Sequence, residues 1–299
     1  MSMGSRRAYG QSGFKLWPLL LGLLVAGFYM ARGCQEGPFG RTQIVGLSPG
    51  EEAALGAQAF KQVLANADVV ASGPGVEVVR RLTRQLAAVA EQPDILELMR
   101  LKPQKYDWEV RLVRSRDVNA FCLPGGKIVV YTGIFPVAQT ESSLAAVMGH
   151  EIAHALARHG AERMAQQNLL KIGQVAAAGS IMNMDVASQR QIMGILGAGA
   201  QYGVMLPFSR SHESEADRMG LILMAAAGHD PKAAVRLWQR MKKAGGSNVP
   251  EYASTHPSHE RRIAEIEGWL EEVEPLYRRA PEHHPDAPLP DVSRGRSSF

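Results

Sequence analysis

Cysteine is nearly absent from this chain: Cys34 and Cys122 are the only two in 299 residues. One borders an apolar N-terminal run and the other falls in a predicted strand, so the thiols support no disulfide framework and leave the compartment to be argued from the N-terminus. Clustered charge of one sign is missing as well. The formal net charge is +4, with arginines and lysines scattered among acids, whereas a nucleic-acid binder tends to gather its base on one stripe. There is no phosphate-binding loop, the glycines form no dinucleotide pattern, and no internal repeat is visible. Nothing therefore selects a nucleotide or nucleic-acid partner. The uncharged run "LWPLLLGLLVAGFYMA", residues 16–31, falls short of the ~20 residues of an ordinary spanning helix. What remains is a chain with 45% hydrophobic and 21% charged residues, close to an ordinary globular protein and long enough for one or two domains with a sizeable core.

The N-terminus differs in kind from the rest. "SRRAYGQSGFK" carries Arg6, Arg7 and Lys15 and no acid ahead of the apolar run. Positive charge there keeps the N-terminus in the cytoplasm and sends the following chain across the membrane, and the run has the length of a secretion-signal core. Three outcomes compete: an uncleaved signal anchor, cleavage after Gly27, and lipidation at Cys34, where Arg32 occupies a position that expects a small residue. The anchor is favoured. It places the remainder on the periplasmic side of a cell-envelope membrane.

Residues 1–35 thus read as signal anchor or signal peptide, 36–46 as linker, 47–275 as the functional domain, and 276–299, Pro-rich and polar, as a disordered tail. Ser48 and Pro49 open one helix, "PGVEVVRRLTRQLAAVAEQ" fits a second, and "WEVRLVRS", "NAFCLPGG" and "KIVVYTGIF" alternate as strands, with Gly125 and Gly126 marking a hairpin or bend. Thr140 is a candidate N-cap for a helix running to Arg158 or beyond. The Ala-, Gly- and Met-rich stretch 164–208 reads as a buried or membrane-touching helical pair. "SHESEADRMGLILMAAAG" forms another helix, a further one starts at Asp230 and Pro231, and "SHERRIAEIEGWLEEVEPLYRR" is the last.

The chemistry lies in "GHEIAHALARHG", residues 149–160. His150 and His154, four apart, share one helical face and can ligate a single ion. Glu151 lies between them, and His-Glu-x-x-His is the zinc-protease signature in which the glutamate handles the proton of the attacking water. The histidine pair sits in an otherwise apolar helix, where it would be awkward without a metal. Downstream, "HESEAD" offers Glu213 as a third ligand, completing the His₂Glu set of many catalytic zinc sites. Asp217, one turn on, can accept a hydrogen bond from the far nitrogen of a ligand histidine. On a continuous helix His159 lies about 180° from His150 and reads as a helix-end or surface histidine. Glu215 points away from the ligands and reads as solvated.

Three segments in order, "HEIAH", "ESEADRMG" and "STHPSHERRI", together with the upstream "NAFCLPGGKIVVYTGIF", resemble the membrane-linked zinc peptidases that include the CAAX prenyl proteases, HtpX and the envelope proteases BepA and LoiP. The likeness spans roughly residues 40–275. It implies one Zn²⁺ per chain on His150, His154 and Glu213, with Glu151 as general base and Asp217 behind a ligand. It adds His256, in "THP", and Arg262 as catalytic residues near the metal, and it makes Asn119, Ala120 and Phe121 part of an edge strand that pairs with an extended polypeptide substrate. His259 has no counterpart in the pattern, and Cys122 stands where a small apolar residue is expected. The implied fold is α+β and mainly helical, gluzincin-like, with a small sheet beside the metal helix. The implied function is zinc-dependent endoproteolysis of unfolded or damaged envelope proteins. With one apolar run rather than several, prenyl-protein processing is not expected. The rival reading is a zinc-bearing envelope chaperone or assembly factor with latent proteolysis.

Overall fold

The structure is a computed structural model and describes residues 14–190, 209–244 and 260–292. The chain divides into two compact units: Met1–Cys34, Ile44–Gly46 and Arg163–Leu206 form the smaller, and Gln35–Gln43, Leu47–Glu162 and Pro207–Phe299 the larger.

In the smaller unit, α1 (Trp17–Gly33) lies against the later turns of α7 (His159–Ile181). Small residues permit the approach: a Cβ on Gly22 would stand 2.4 Å from the Cβ of Ala176. Lys15 and Ser180 join the two segments through a backbone hydrogen bond of 2.9 Å. The outer face of α1 leaves Trp17, Leu20, Leu23, Leu24 and Phe28 exposed. Helix α1 has 17 residues, and among the described residues no helix is long and apolar enough to cross a membrane.

The larger unit is mainly helical around one three-stranded sheet. Two three-residue strands, β1 (Cys34–Glu36) and β2 (Thr42–Ile44), pair ahead of it. Helix α2 (Pro49–Ala65) starts at a capping box: Ser48 accepts from the Glu51 amide, and the Glu51 carboxylate accepts from the Ser48 amide. α3 (Pro74–Ala90) buries one apolar stripe, and α4 (Pro93–Leu98) follows. In the sheet, β3 (Glu109–Val113) runs parallel to β5 (Lys127–Tyr131), and β4 (Ala120–Leu123) pairs antiparallel with β5 on its other side. The order β3-β5-β4 makes β4 an edge. The β4–β5 turn uses Gly125 and Gly126 at φ of 82° and 89°, which an L side chain rarely adopts. The short helix α5 (Phe135–Ala138) leads into α6 (Glu141–Leu156).

Helix α6 (Glu141–Leu156) is buried along nearly all its length. Its neighbours are α8 (Arg210–Ala226), α9 (Lys232–Ala244) and the sheet edge, and α10 (Glu260–Arg279) packs against α8 and α9. α6 and α8 meet backbone to backbone. A Cβ on Gly220 would lie 2.8 Å from the amide nitrogen of His150, and one on Gly149 would lie 3.0 Å from the carbonyl oxygen of Gly220.

Residues 280–292, read from composition as part of a disordered tail, follow the start of α6. The Glu141 amide donates to the Ala287 carbonyl (2.9 Å), the Leu289 amide to the Gln139 carbonyl (2.8 Å), and the Ser142 amide to the Asp286 carboxylate (3.1 Å). Backbone pairing and a carboxylate at a helix N-terminus hold a Pro-rich stretch without an apolar pattern that composition could reveal.

Candidate metal centre

Helix α6 brings His150 and His154 to one face, and the close approach of α8 at Gly149 and Gly220 delivers Glu213 opposite them. Among the described residues, these three form the group able to hold a metal ion: one ligand atom from each lies within 4.8 Å of the others. Nε2 of His150 is 3.1 Å from Nε2 of His154 and 3.5 Å from a Glu213 oxygen, and Nε2 of His154 is 3.4 Å from the other. All three are buried. Two imidazoles and a carboxylate buried together are costly unless they share a cation or protons, and as a donor set they fit a metal of the zinc type. Glu151 is 2% exposed, beside the ligands on the same helix.

The outer face of His150 meets carboxylate and guanidinium. Its Nδ1 lies 3.0 Å from Oδ1 of Asp217, the contact expected from the one-turn spacing. Arg262 rises from α10 to bind Asp217 through Nε and Nη2 and Glu213 through Nη1 (2.9 Å), with Nη2 also 3.0 Å from Nδ1 of His150. Its guanidinium carbon lies over Trp238, 3.6 Å from the ring centroid. Burial and Arg262 push the His150 imidazole down, but Asp217 and Glu213 outweigh them and hold it up at about 9. His154 is driven well below its ordinary value, chiefly by burial.

His159 stands at a helix end, one of the two places expected of it, but not at the surface. Arg158 takes a left-handed conformation, φ 59°, which ends α6 at Leu156 and starts α7 at His159. The Arg158 side chain is held by Glu52 and by the Leu47 carbonyl. The helix is interrupted there, and a helical-wheel projection through it fails. His159 is fully buried, its Nδ1 2.9 Å from Nδ1 of His154 and its Nε2 3.0 Å from the Glu215 carboxylate. Burial pushes its pKa down to about 4.

Glu215 likewise departs from the solvated reading. It turns away from the ligands, but Arg41 clasps it together with Glu162, and His212 reaches Glu162 at 3.0 Å. Burial alone would raise the Glu162 carboxyl, yet Arg41 and His212 hold it at about 2. Sequence reasoning missed Arg41 because it lies in a stretch read as linker. The two strands flanking it have three residues each, too short to mark it in the sequence.

On the other side stands the edge strand. Asn119 and Ala120 are buried, and Phe121 is half-buried against Tyr131. Its pairing register with β5, Ala120 opposite Val130 and Phe121 opposite Val129, leaves the other edge without a strand partner among the described residues. Burial, and secondarily the Glu151 carboxylate, push the Cys122 thiol up, which makes it a poor nucleophile. His256 and His259 lie outside the described residues.

A family model described as peptidase family M48 matches residues 79–270, which include every ligand candidate. Mitochondrial metalloendopeptidase OMA1 of Schizosaccharomyces pombe is 39% identical over 203 residues, covering 67% of this chain and 55% of that protein. The mitochondrial metalloendopeptidase OMA1 of Danio rerio is 30% identical over 279 residues, 90% of this chain and 56% of its own length. The β-barrel assembly-enhancing protease of Escherichia coli is 33% identical over 170 residues, 55% of this chain and 35% of its own. The chain spans about half the length of these relatives, or less.

Proposed function

The chain belongs to peptidase family M48, and from that premise we propose that it is a zinc-dependent metalloendopeptidase that hydrolyses peptide bonds of cell-envelope proteins, unfolded or damaged ones in particular. The observation that carries this reading is the convergence of His150, His154 and Glu213 within 4.8 Å, with Glu151 beside them and an edge strand alongside.

His150 and His154 would hold the ion through Nε2 and Glu213 through its carboxylate. When bound, zinc supplies Lewis acidity, lowering the pKa of water from 15.7 to about 7 and polarising a carbonyl oxygen. Glu151 takes the proton of the attacking water on its carboxylate and passes it to the departing amine nitrogen. Asp217 accepts from Nδ1 of His150, so Nε2 is the nitrogen that gives up its proton when a metal binds. Arg262, engaged by Glu213 and Asp217, acts by holding those carboxylates in place, and the family resemblance assigns His256, outside the described residues, either to the oxyanion or to closing the resting metal site. The edge of β4 that has no strand partner among the described residues, with Asn119, Ala120 and Phe121, aligns an extended peptide by main-chain hydrogen bonds, which favours unfolded substrates.

Residues 16–31 attach the chain to a membrane with the larger unit on the periplasmic side. The apolar outer face of α1 and the cationic flank before it support this. Casein cleavage by the full chain in detergent tests the enzymatic claim. Cleavage should stop when a chelator strips the metal and return with zinc. Cleavage untouched by metal removal would contradict it, and zinc binding without cleavage would favour the chaperone reading.

A further inference from the structure

We propose that His159, backed by Glu215 and Arg41, is a positioning residue that fixes His154 as a metal ligand. This deepens the zinc site proposed above and rests on it.

The contacts dictate where the hydrogens lie. The Glu215 carboxylate only accepts, so Nε2 of His159, 3.0 Å away, carries the hydrogen. With His154 ligating through Nε2, the one hydrogen between the two Nδ1 atoms sits on His154, which leaves Nδ1 of His159 bare. That nitrogen, 2.9 Å from Nδ1 of His154, is therefore the acceptor, and His154 donates. With its hydrogen committed to Nδ1, His154 turns a lone pair on Nε2 toward Glu213, 3.4 Å away, and toward His150. The relay thus selects the one neutral tautomer of His154 that can ligate from the face shared with the other two donors.

The relay is also held rigidly. Arg41 places Nη2 3.2 Å from Glu215 and, with Nε, grips both carboxylate oxygens, while Nη1 and Nη2 bind Glu162 at 2.8 and 2.7 Å. His212 stacks on the His159 ring, centroids 4.4 Å apart and planes at 20°, and is fixed in turn by Glu162. The two ligand histidines are therefore supported differently. His150 meets a carboxylate directly, whereas His154 meets one through an intervening neutral imidazole. Outer contacts of this kind typically contribute 10–100-fold to metal affinity.

Two variants of the full chain separate this hydrogen bond from packing. His159→Asn keeps an acceptor oxygen near the place of Nδ1 but loses ring volume. His159→Phe keeps the ring and loses the acceptor. Zinc affinity, measured by competition with a chromophoric chelator, should stay within a few-fold of wild type in His159→Asn and fall roughly 10–100-fold in His159→Phe. The visible spectrum of the Co²⁺-loaded protein should shift in the latter alone. Melting curves recorded in excess chelator report folding without the metal. Affinity that follows ring volume instead, or that is unchanged in both variants while melting temperatures drop, would overturn the proposal and leave His159 a packing residue. Failure of the wild type itself to bind zinc would remove the metal centre, and this relay with it.

Discussion

His150 and His154 are four residues apart on one helix, yet their surroundings treat their protons in opposite ways. Asp217 and Glu213 hold His150 up at about 9, whereas burial drives His154 far down. Metal must displace the proton from His150, so zinc affinity should fall about tenfold per pH unit below 9 from this group alone. Chelator competition at pH 7, 8 and 9 measures the slope. A flat profile would show that Asp217 and Glu213 do not hold His150 protonated up to pH 9. That His150 and His154 share a face, and Glu213 and Asp217 another, was legible because four-residue spacings survive wherever a helix is continuous. His159 and Glu215 were not. A non-glycine residue in the left-handed region, Arg158, has no local signature, and its contacts to Glu52 and Leu47 lie far off in sequence.

At the level of elements, the site depends on two helices approaching closely enough to share an ion. Gly149 and Gly220 allow this by presenting backbone to backbone. Gly220→Ala should push α8 from α6, destabilise the fold by about 1–3 kcal/mol and weaken zinc binding. Gly268→Ala serves as the control: a Cβ there meets nothing within 4 Å, so it should stabilise α10 by about 0.5–1 kcal/mol. Thermal melts and zinc competition on both variants decide, and unchanged zinc affinity in Gly220→Ala would remove the helix approach from the account of the site. Most helices were legible from caps and periodicity, Thr140 at the start of α6 among them. The β4–β5 hairpin was legible from alternation around paired glycines. The parallel pairing of β3 with β5 was not, because it reaches past β4, and neither were α4 nor the hairpin carrying Arg41, which are too short to show a period.

For the molecule as a whole, buried histidines set the pH range in which the metal-free fold persists. His159 and His229 are held at about 4, chiefly by burial. Between 6.5 and 4 the unfolded chain binds their protons and the folded chain does not, so stability falls as pH drops through that window. His150 has the opposite sign: its contribution is complete below 6.5 and is lost as pH rises through about 9. The chelated protein should therefore melt highest near pH 6.5. Zinc should flatten the alkaline limb, because bound His150 has already given up its proton. Melting curves across pH 4–9, with and without zinc, check both limbs. A metal-free melting temperature that kept rising to pH 9 would contradict the environment assigned to His150.

The central claim, that His150, His154 and Glu213 hold a zinc ion for which Glu151 moves the proton, is tested most directly by Glu151→Gln. Zinc content and casein cleavage are to be measured on the same preparation as wild type. The expected result is one zinc per chain in both proteins, with cleavage in the variant lower by at least 10²–10⁴-fold. Wild-type cleavage by a zinc-loaded Glu151→Gln protein would contradict the account.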